Sequence, residues 1–562
     1  MSYALSAGVT GLQAHQTMLD VAGNNLANVN TTGFKASSVN FAALLGETLQ
    51  QASQPTDLIG GTNPQQMGAG VGISSISRDT GQGSIVNTGN PLDMAIEGSG
   101  YFVVNDGEGN LYTRSGAFSV DQGGYLVDPS TGYRVQRTGL TGEGDGFQAA
   151  GDAAIQVPYD VALPANMTST ITVSGNLSSD AVTESRTQVL SSNTSYSYAD
   201  GTDATLTTEL DQLDQFSGGS GAGGQFGGGE SGLITISGYN ADGTDLAGTL
   251  TLTIDGTTTM GDVIDHLNNN VLTDATASLA NGQIRITDDT TGYTKSDISL
   301  SYSGDGSLEM PAYFDITTVG GDETKSVNIA VYDSQGGKHV LSAVFVRTDV
   351  VNTWDLVVTS VTGSISGMSP ADRRINGVTF DAETGAFSEV PDTEASEFVM
   401  TFAHDAAHPQ TISMDFGTSG SFDGLTQFAG TSTAVAREQD GYEAGSLTAV
   451  SVNNEGILVG AFSNGIKKDL ATLAIATFKN DAGLLAKGGS YFTTSANSGE
   501  AVITQAMTGG AGSIKGSALE KSNADVASEF VTLIEAQNGF QANARTITVA
   551  NEILRELTNL IR

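Results

Sequence analysis

Residues 522–562 read SNADVASEFVTLIEAQNGFQANARTITVANEILRELTNLIR. Val526, Leu533, Phe540, Ile547, Leu554 and Ile561 recur seven apart, and Phe530, Gln537, Ala544, Asn551 and Thr558 fall between them at the alternate step. This is the a/d seam of a coiled-coil helix, with one strong and one mixed apolar row. The stretch has no Pro, and Ser522 or Asn523 is placed to cap it ahead of Asp525. Its only glycine, Gly539, is predicted to loosen the helix by up to ~1 kcal/mol relative to Ala. Such a helix draws its stability from packing rather than propensity, so it requires a partner.

The other end of the chain supplies a candidate. Leu5, Leu12, Leu19 and Leu26 repeat with the same period, with Val9, Gln16 and Gly23 on the alternate row. Ala4, Ala7, Ala14, Ala22 and Ala27 broaden this face and allow close approach. Within residues 1–46 the only formal side-chain charges are Asp20 and Lys35. A surface helix normally carries a charged outer face. One that is small or polar all round suits a helix surrounded by other helices. A simple intramolecular hairpin would satisfy the two stripes; packing against further copies of the chain satisfies the uncharged outer face as well.

Composition bounds the remainder. A length of 562 residues accommodates roughly three to four domains. The 72 glycines, the abundance of Thr, Ser, Val and Asn and the single Trp predict a β-rich chain with many tight turns. A net charge of −39 excludes a general binder of nucleic acid or of anionic membranes. Without cysteine there is no disulfide, thiol catalysis or Cys-based zinc site. No apolar run reaches the ~20 residues of a membrane-spanning helix. No basic segment followed by an apolar core opens the chain, which sets the expectation of export without a cleaved signal peptide.

In chain order, the first helix is predicted to stop near Asn28, where Asn and Gly cluster in NNLANVNTTGFK, residues 24–35. This run resembles the N-terminal signature of the flagellar rod and hook protein family. The run ALEKSNADVASEFVTLIEAQNGFQANARTI, residues 518–547, resembles the matching signature at that family's other end. The residues that carry the likeness are Asn24, Asn25, Asn28, Asn30, Thr31, Gly33, Phe34, Lys35, Ser522, Asn523 and Asn543. Asn538-Gly539 departs from the more basic or bulky pair usual there. NPLDMAIEGSGYFVV and YTRSGAFSVDQGGYLVD, within residues 90–128, resemble the family's first β domain. YDSQGGKHVLSAVFV with Trp354, and the stretch from Gln439 to Asn480, resemble its hook branch rather than its rod branch.

The resulting organisation is mainly β and multi-domain with coiled-coil helical termini and nested, discontinuous β domains. Residues 1–30 and 522–562 form a terminal helical core, and 31–80 and 501–521 are connectors. Residues 81–150 and 435–500 form an inner β domain, 151–180 and 313–434 a second, and 181–312 an outer insertion. Within the insertion, Phe216 to Glu230 carries Gly at eight positions and is predicted to be a flexible loop. TTTMGDVIDHLNNNV is predicted to be an amphipathic helix with Met260, Val263, Ile264 and Leu267 on one side.

No catalytic constellation is legible. Gly68-Ala69-Gly70-Val71-Gly72 lacks the Lys-Ser/Thr and βαβ context of a phosphate loop and reads as an extended linker. His404 and His408 are spaced for metal on a helix, but FAHDAAHPQ reads as a loop. Asp242, Asp245, Asp288 and Asp289 read as solvated turn carboxylates rather than a Ca²⁺ site. Neither catalytic residues, cofactor nor metal are expected. The resemblance implies a structural subunit of the flagellar hook, a curved self-assembled tube that acts as a universal joint for motor torque. It implies a location outside the cell in the flagellum. The implied partners are further copies of the chain, the distal rod, the hook cap, the hook–filament junction proteins and the flagellar type III export apparatus. The residues implied in polymerisation are Leu5, Val9, Leu12, Leu19, Leu26, Val526, Phe530, Leu533, Phe540, Ile547, Leu554 and Ile561. The alternative is a secreted adhesin or lectin-like protein anchored by its terminal helices, with residues 181–312 as its head.

Overall fold

Runs of Val, Ile, Thr and aromatic residues broken by Gly turns make this chain mostly strand, as that composition dictates. The computed structural model describes residues 3–55, 59–180, 186–321, 323–391 and 396–560. Among the described residues three α-helices occur: α1, Tyr3–Ala27; α2, Met260–His266; and α3, Val526–Leu560. None is long and apolar enough to cross a membrane. The chain divides into two units, Met1–Leu163 with Gly445–Arg562, and Pro164–Ala444. Residues 151–163 therefore stay with the first unit, and residues 435–444 go with the second.

In the first unit both ends of the chain build one sheet. The hairpin Tyr101–Asn105 and Asn110–Thr113 takes partners from far along the sequence, with Phe102 opposite Ile475 and Thr113 opposite Tyr491. Tyr101, Val103, Tyr112, Ala474, Leu484 and Phe492 pack into its core. Two further pairings tie the ends together: Met94–Glu97 with Ser513–Gly516, and Ile85–Asn87 with Ala518–Glu520. Residues 501–521, read as connector, thus contribute three paired strands, Val502–Thr504, Ser513–Gly516 and Ala518–Glu520. Residues 31–80 also differ from an extended linker. Ser37–Ala43 pairs antiparallel with Val71–Arg78, and Glu47–Gln50 with Gln65–Met67. Most side chains on these strands are exposed, so no buried face imposes the two-residue alternation that marks a strand.

In the second unit, Thr170–Ser178 pairs with Gln410–Asp415, Leu425–Phe428 and Val435–Gln439, all supplied after the intervening chain returns. A five-stranded sheet runs in the order Thr324–Tyr332, Lys338–Arg347, Thr353–Val361, Arg374–Phe380, Phe387–Glu389. Trp354, fully buried, sits in the core between these strands with Phe345, Leu356 and Phe398. A separate core gathers α2 onto strands Gly232–Tyr239, Ala275–Ala280, Gln283–Asp288 and Asp297–Gly304. Met260, Val263, Ile264 and Leu267 all face it, and a capping box of Thr259 with Asp262 starts the helix.

Two expectations for this unit are corrected. The Gly-rich stretch is a folded turn, because Phe216 and Phe226 are buried with ring centroids 4.6 Å apart and Phe216–Ser217 pairs with Ser307–Leu308. Two aromatic anchors outweigh the freedom of the glycines between them. Asp288 is not solvated: it ends a strand, is buried, and accepts the Ser296 hydroxyl at 2.7 Å. Burial pushes its carboxyl above the usual range.

Candidate assembly surface

The two terminal helices pack against each other antiparallel. Gly8 lies against Thr546 and Ile547, Gly11 against Asn543, and Gly539 against His15. A Cβ on Gly8 would approach Ile547 Cγ1 to 2.9 Å, and one on Gly11 would approach Asn543 Oδ1 to 2.7 Å. Small residues therefore let the backbones come together. The residues of α1 that are buried are Gly8, Gly11, Ala14, Ala22 and Asn25. Leu5, Leu12, Leu19 and Leu26 are only half-buried along the flank of this seam, and Val9 is exposed.

On α3, Leu533, Phe540 and Ile547 of the expected strong row are half-buried toward the seam. The row beside it is Glu529, Ala536, Asn543 and Ala550, one residue before the sequence-predicted row, with Ala536 and Ala550 fully buried. Of that predicted row, Ala544 is half-buried, while Phe530 is 51% exposed and Gln537, Asn551 and Thr558 are exposed. The shift follows from the partner: the close Gly/Ala face of α1 admits Ala and Asn more readily than Phe. Gly539 does not interrupt α3; it receives the His15 ring, which explains the departure seen there.

The signature residues form a clasp at the base of the pair. Asn25 is buried and donates to Ser37 O at 2.7 Å and Glu529 Oε1 at 2.9 Å, while its Oδ1 accepts from Ser37 N at 3.0 Å. Asn28 donates to Asn24 O at 2.9 Å and accepts from Thr31 Oγ1 at 3.1 Å, which closes the helix end. Asn30 is exposed. Gly33 takes φ +67° and its N–H donates to Glu520 O at 2.9 Å; a Cβ there would meet the Arg114 backbone at 2.7 Å. Phe34 O accepts from Asn523 N at 3.3 Å.

Asn523 is not the cap of α3. Its side chain accepts from Ala36 N at 2.8 Å and donates to Asp79 O and Gly81 O. Ser522 Oγ accepts from Ala524 N, and Asp525 Oδ1 accepts from Ala527 N at 3.1 Å, so Asp525 caps the helix. Asn543 donates to Gly539 O at 2.8 Å opposite Gly11.

Beneath the clasp lies a charge cluster. Lys35 Nζ is 2.7 Å from Glu520 Oε1, with side-chain exposures of 1% and 0%. Lys35 also donates to Gly81 O at 2.7 Å, Gly83 N donates to Glu520 Oε1 at 2.8 Å, and Arg114 Nη1 is 3.4 Å from Glu520 Oε2. Burial pushes the Lys35 ammonium down from its ordinary value, and Glu520 opposes that shift. Sequence reading missed Glu520 and Arg114 as participants. Both lie inside runs that carry the resemblance, but no spacing rule joins positions 35, 114 and 520.

The helix pair leaves large apolar residues uncovered at both ends of α3. Val526, Phe530, Val531, Ile534, Val549, Ile553, Leu554 and Leu557 are exposed large hydrophobics of α3. Residues 551–559 are all exposed. Ile561 lies outside the described residues. Elsewhere, His404 sits in a short 3₁₀ turn, Ala403–Asp405, facing Asp333 at 3.6 Å, and His408 pairs with Asp405 at 2.8 Å. Among the described residues no group of three His, Asp or Glu is placed to hold a metal ion.

Comparison with known proteins gives this surface its context. Residues 5–35 match the family of flagella basal body rod proteins, and residues 515–560 match the C-terminal region of the flagellar basal body rod FlgEFG proteins. Residues 95–178 match the flagellar hook protein FlgE/F/G D1 domain, and residues 301–442 the flagellar basal body protein FlaE D2 domain. The class is thus that of the axial proteins of the bacterial flagellum. Similar over their whole length are the flagellar hook protein FlgE of Borreliella burgdorferi (30% identical, 100% of both chains) and that of Treponema pallidum (30%, 100% of both). The FlgE of Escherichia coli is 26% identical over 99% of this chain and 100% of its own. The chain belongs to the flagellar hook protein FlgE family and is a structural subunit of the bacterial flagellar hook.

Proposed function

We propose that the uncovered apolar residues of α3 are the assembly device: copies bury them against one another to form the inner wall of a hook tube. The observation that supports this reading is the set of exposed Phe530 and Ile534 on a segment whose other face is packed on α1, together with Val549, Ile553 and Leu557 toward the helix end, where residues 551–559 are all exposed. Large apolar residues exposed in this number on one helix mark an interaction site. In this reading the implied polymerisation residues divide in two. Leu533, Phe540, Ile547 and the half-buried α1 leucines flank the Gly/Ala seam of the helix pair, while Val9, Val526, Phe530 and Leu554 meet neighbouring copies.

The nested β domains then form outer shells whose contacts slide as the tube bends. Their surfaces are polar and acidic, and wet polar contacts re-form more readily than a close-packed apolar interface. A stiff helical interior with sliding outer shells transmits torque through a curve. Before export the helical termini, lacking neighbours, are largely unfolded. The finer partners of the reading are the distal rod, the hook cap, the hook–filament junction proteins and the flagellar export apparatus. The role is mechanical rather than catalytic.

The test compares the full chain with one lacking residues 1–30 and 522–562, by negative-stain electron microscopy and circular dichroism under polymerising conditions. Tubes with a gain of helix from the full chain alone are expected. A full-length monomer that is already helical and never polymerises overturns the proposal and favours the anchored adhesin.

A further inference from the structure

A cleft of about 380 Å³ opens at the C-terminal end of α1, between the signature turn and the hairpin Leu485–Gly488 with Tyr491–Thr493. Asn24, Asn28, Phe34, Arg78, Ser490 and Tyr491 line it, together with Lys35, which is held by Glu520. Arg78 ends the strand Val71–Arg78, and its guanidinium lies 4.5 Å above the ring of Phe492. One Nη1 reaches Leu484 O at 3.4 Å, and among the described residues no carboxylate lies within ion-pair distance. A planar guanidinium has five donors in a fork suited to a carboxylate. Most of that capacity is therefore unused.

Among the described residues, five other cations of this unit hold an acid, and those that do not, such as Arg134, Lys467 and Lys515, are exposed, whereas Arg78 is half-buried. Lys35 and Arg114 share Glu520, Arg137 holds Glu143, Lys468 holds Asp145, and Lys487 holds Asp106. In a chain with 62 acidic and 23 basic residues, a half-buried arginine without an acid is out of step with its surroundings. Burial also lowers the Arg78 pKa, an effect Tyr101 opposes. Ser490, on the cleft wall, takes φ +65° beside Gly489 at φ +60°, the pair forming the two-residue turn of the hairpin and fixing the rim of the cleft.

We propose that this cleft is a socket for a carboxylate side chain of a second copy of the chain, received by the Arg78 guanidinium against Phe492. The inference rests on the assembly reading and adds to it a polar contact that fixes register, beside the non-directional contact of the exposed apolar residues of α3. A second copy is the occupant that charge complementarity selects, because its surface presents acids at almost every turn. The socket is continuous with α1, whose last turn supplies Asn24 and Asn28.

The experiment measures the critical concentration for polymerisation of the full-length wild-type chain, Arg78→Gln, Arg78→Lys and Lys467→Gln. Lys467 is exposed on a strand away from the cleft lining, so its variant makes the same change in net charge. Arg78→Gln is expected to raise the critical concentration at least tenfold, Arg78→Lys less, and Lys467→Gln under twofold. An independent readout uses the absence of native cysteine: Ser490→Cys is expected to react with a maleimide in the monomer and at least tenfold more slowly in the polymer. If Arg78→Gln fails to fold, the protection of Cys at position 490 decides alone. Equal effects of Arg78→Gln and Lys467→Gln, or an unprotected thiol in well-formed polymer, overturn the socket and leave the assembly reading intact. A wild-type chain that forms no polymer overturns both.

Discussion

Replacing Gly539 by Ala sets two opposed effects against each other, and the structure decides the sign. On helix propensity alone the change stabilises α3 by about 1 kcal/mol. The Cβ it introduces would stand 2.4 Å from Cε1, 2.5 Å from Nε2 and 2.7 Å from Nδ1 of His15. The ring cannot be passed by a small adjustment, because it also packs edge-on against Phe41 at 5.8 Å between centroids. Overpacking a fitted site costs about 1–3 kcal/mol, so Gly539→Ala is expected to be neutral to destabilising by up to ~2 kcal/mol. In a His15→Ala background the obstruction is gone and the same substitution should stabilise by about 1 kcal/mol. The double-mutant cycle should therefore show a coupling of about 1–3 kcal/mol. The assay is thermal loss of the helical circular dichroism signal in assembled polymer for the four chains. A Gly539→Ala change that raises the midpoint equally in both backgrounds refutes the seating of His15 on Gly539.

Further outcomes follow from the same geometry. Glu520→Gln leaves Lys35 buried beside an uncharged partner and should cost the first unit about 3–5 kcal/mol in urea unfolding, since breaking one side of a buried pair exposes the full desolvation penalty. An unchanged midpoint would mean the cluster is not closed in solution. Asp440 gives a pH dependence. Burial alone would raise its carboxyl, but the Ser169 hydroxyl and the N–H groups of Thr170 and Ser169 hold it below the usual range. A depressed folded pKa contributes stability above the unfolded value of 3.8 that is lost as pH falls through the folded value. Trp354, the only tryptophan, lies in the same unit, so Asp440→Asn should flatten the acid limb of its fluorescence-detected unfolding as the pH falls below 3.8. Added salt should favour polymerisation, because it screens repulsion between copies of net charge −39; polymer yield falling steadily from low to moderate salt would contradict this.

The sequence alone carried the parts of this protein that depend on local periodicity and composition. The seven-residue rows placed α1 and α3, the Asn cluster placed the end of α1 near Asn28, one residue past the observed Ala27, and the apolar face of 260–267 placed α2, because each is a short-range pattern. Of the signature residues, Asn25, Gly33, Lys35 and Asn523 lie where the two ends of the chain meet. Tertiary structure alone decided how they meet. Ala14 and Ala22 were legible as a close-approach face, but that Gly8 and Gly11 make the seam and the leucines only flank it was not, since close approach at a glycine is set by what the residue lacks and leaves no hydrophobic trace. Glu520 and Arg114 join Lys35 only because strand pairings bring positions far apart in the chain to one buried point. The ordered turn around Phe216 and Phe226, and the burial of Asp288, likewise depend on partners that come from distant strands. Such long-range coincidences of side chains are fixed by packing, and no local pattern encodes them.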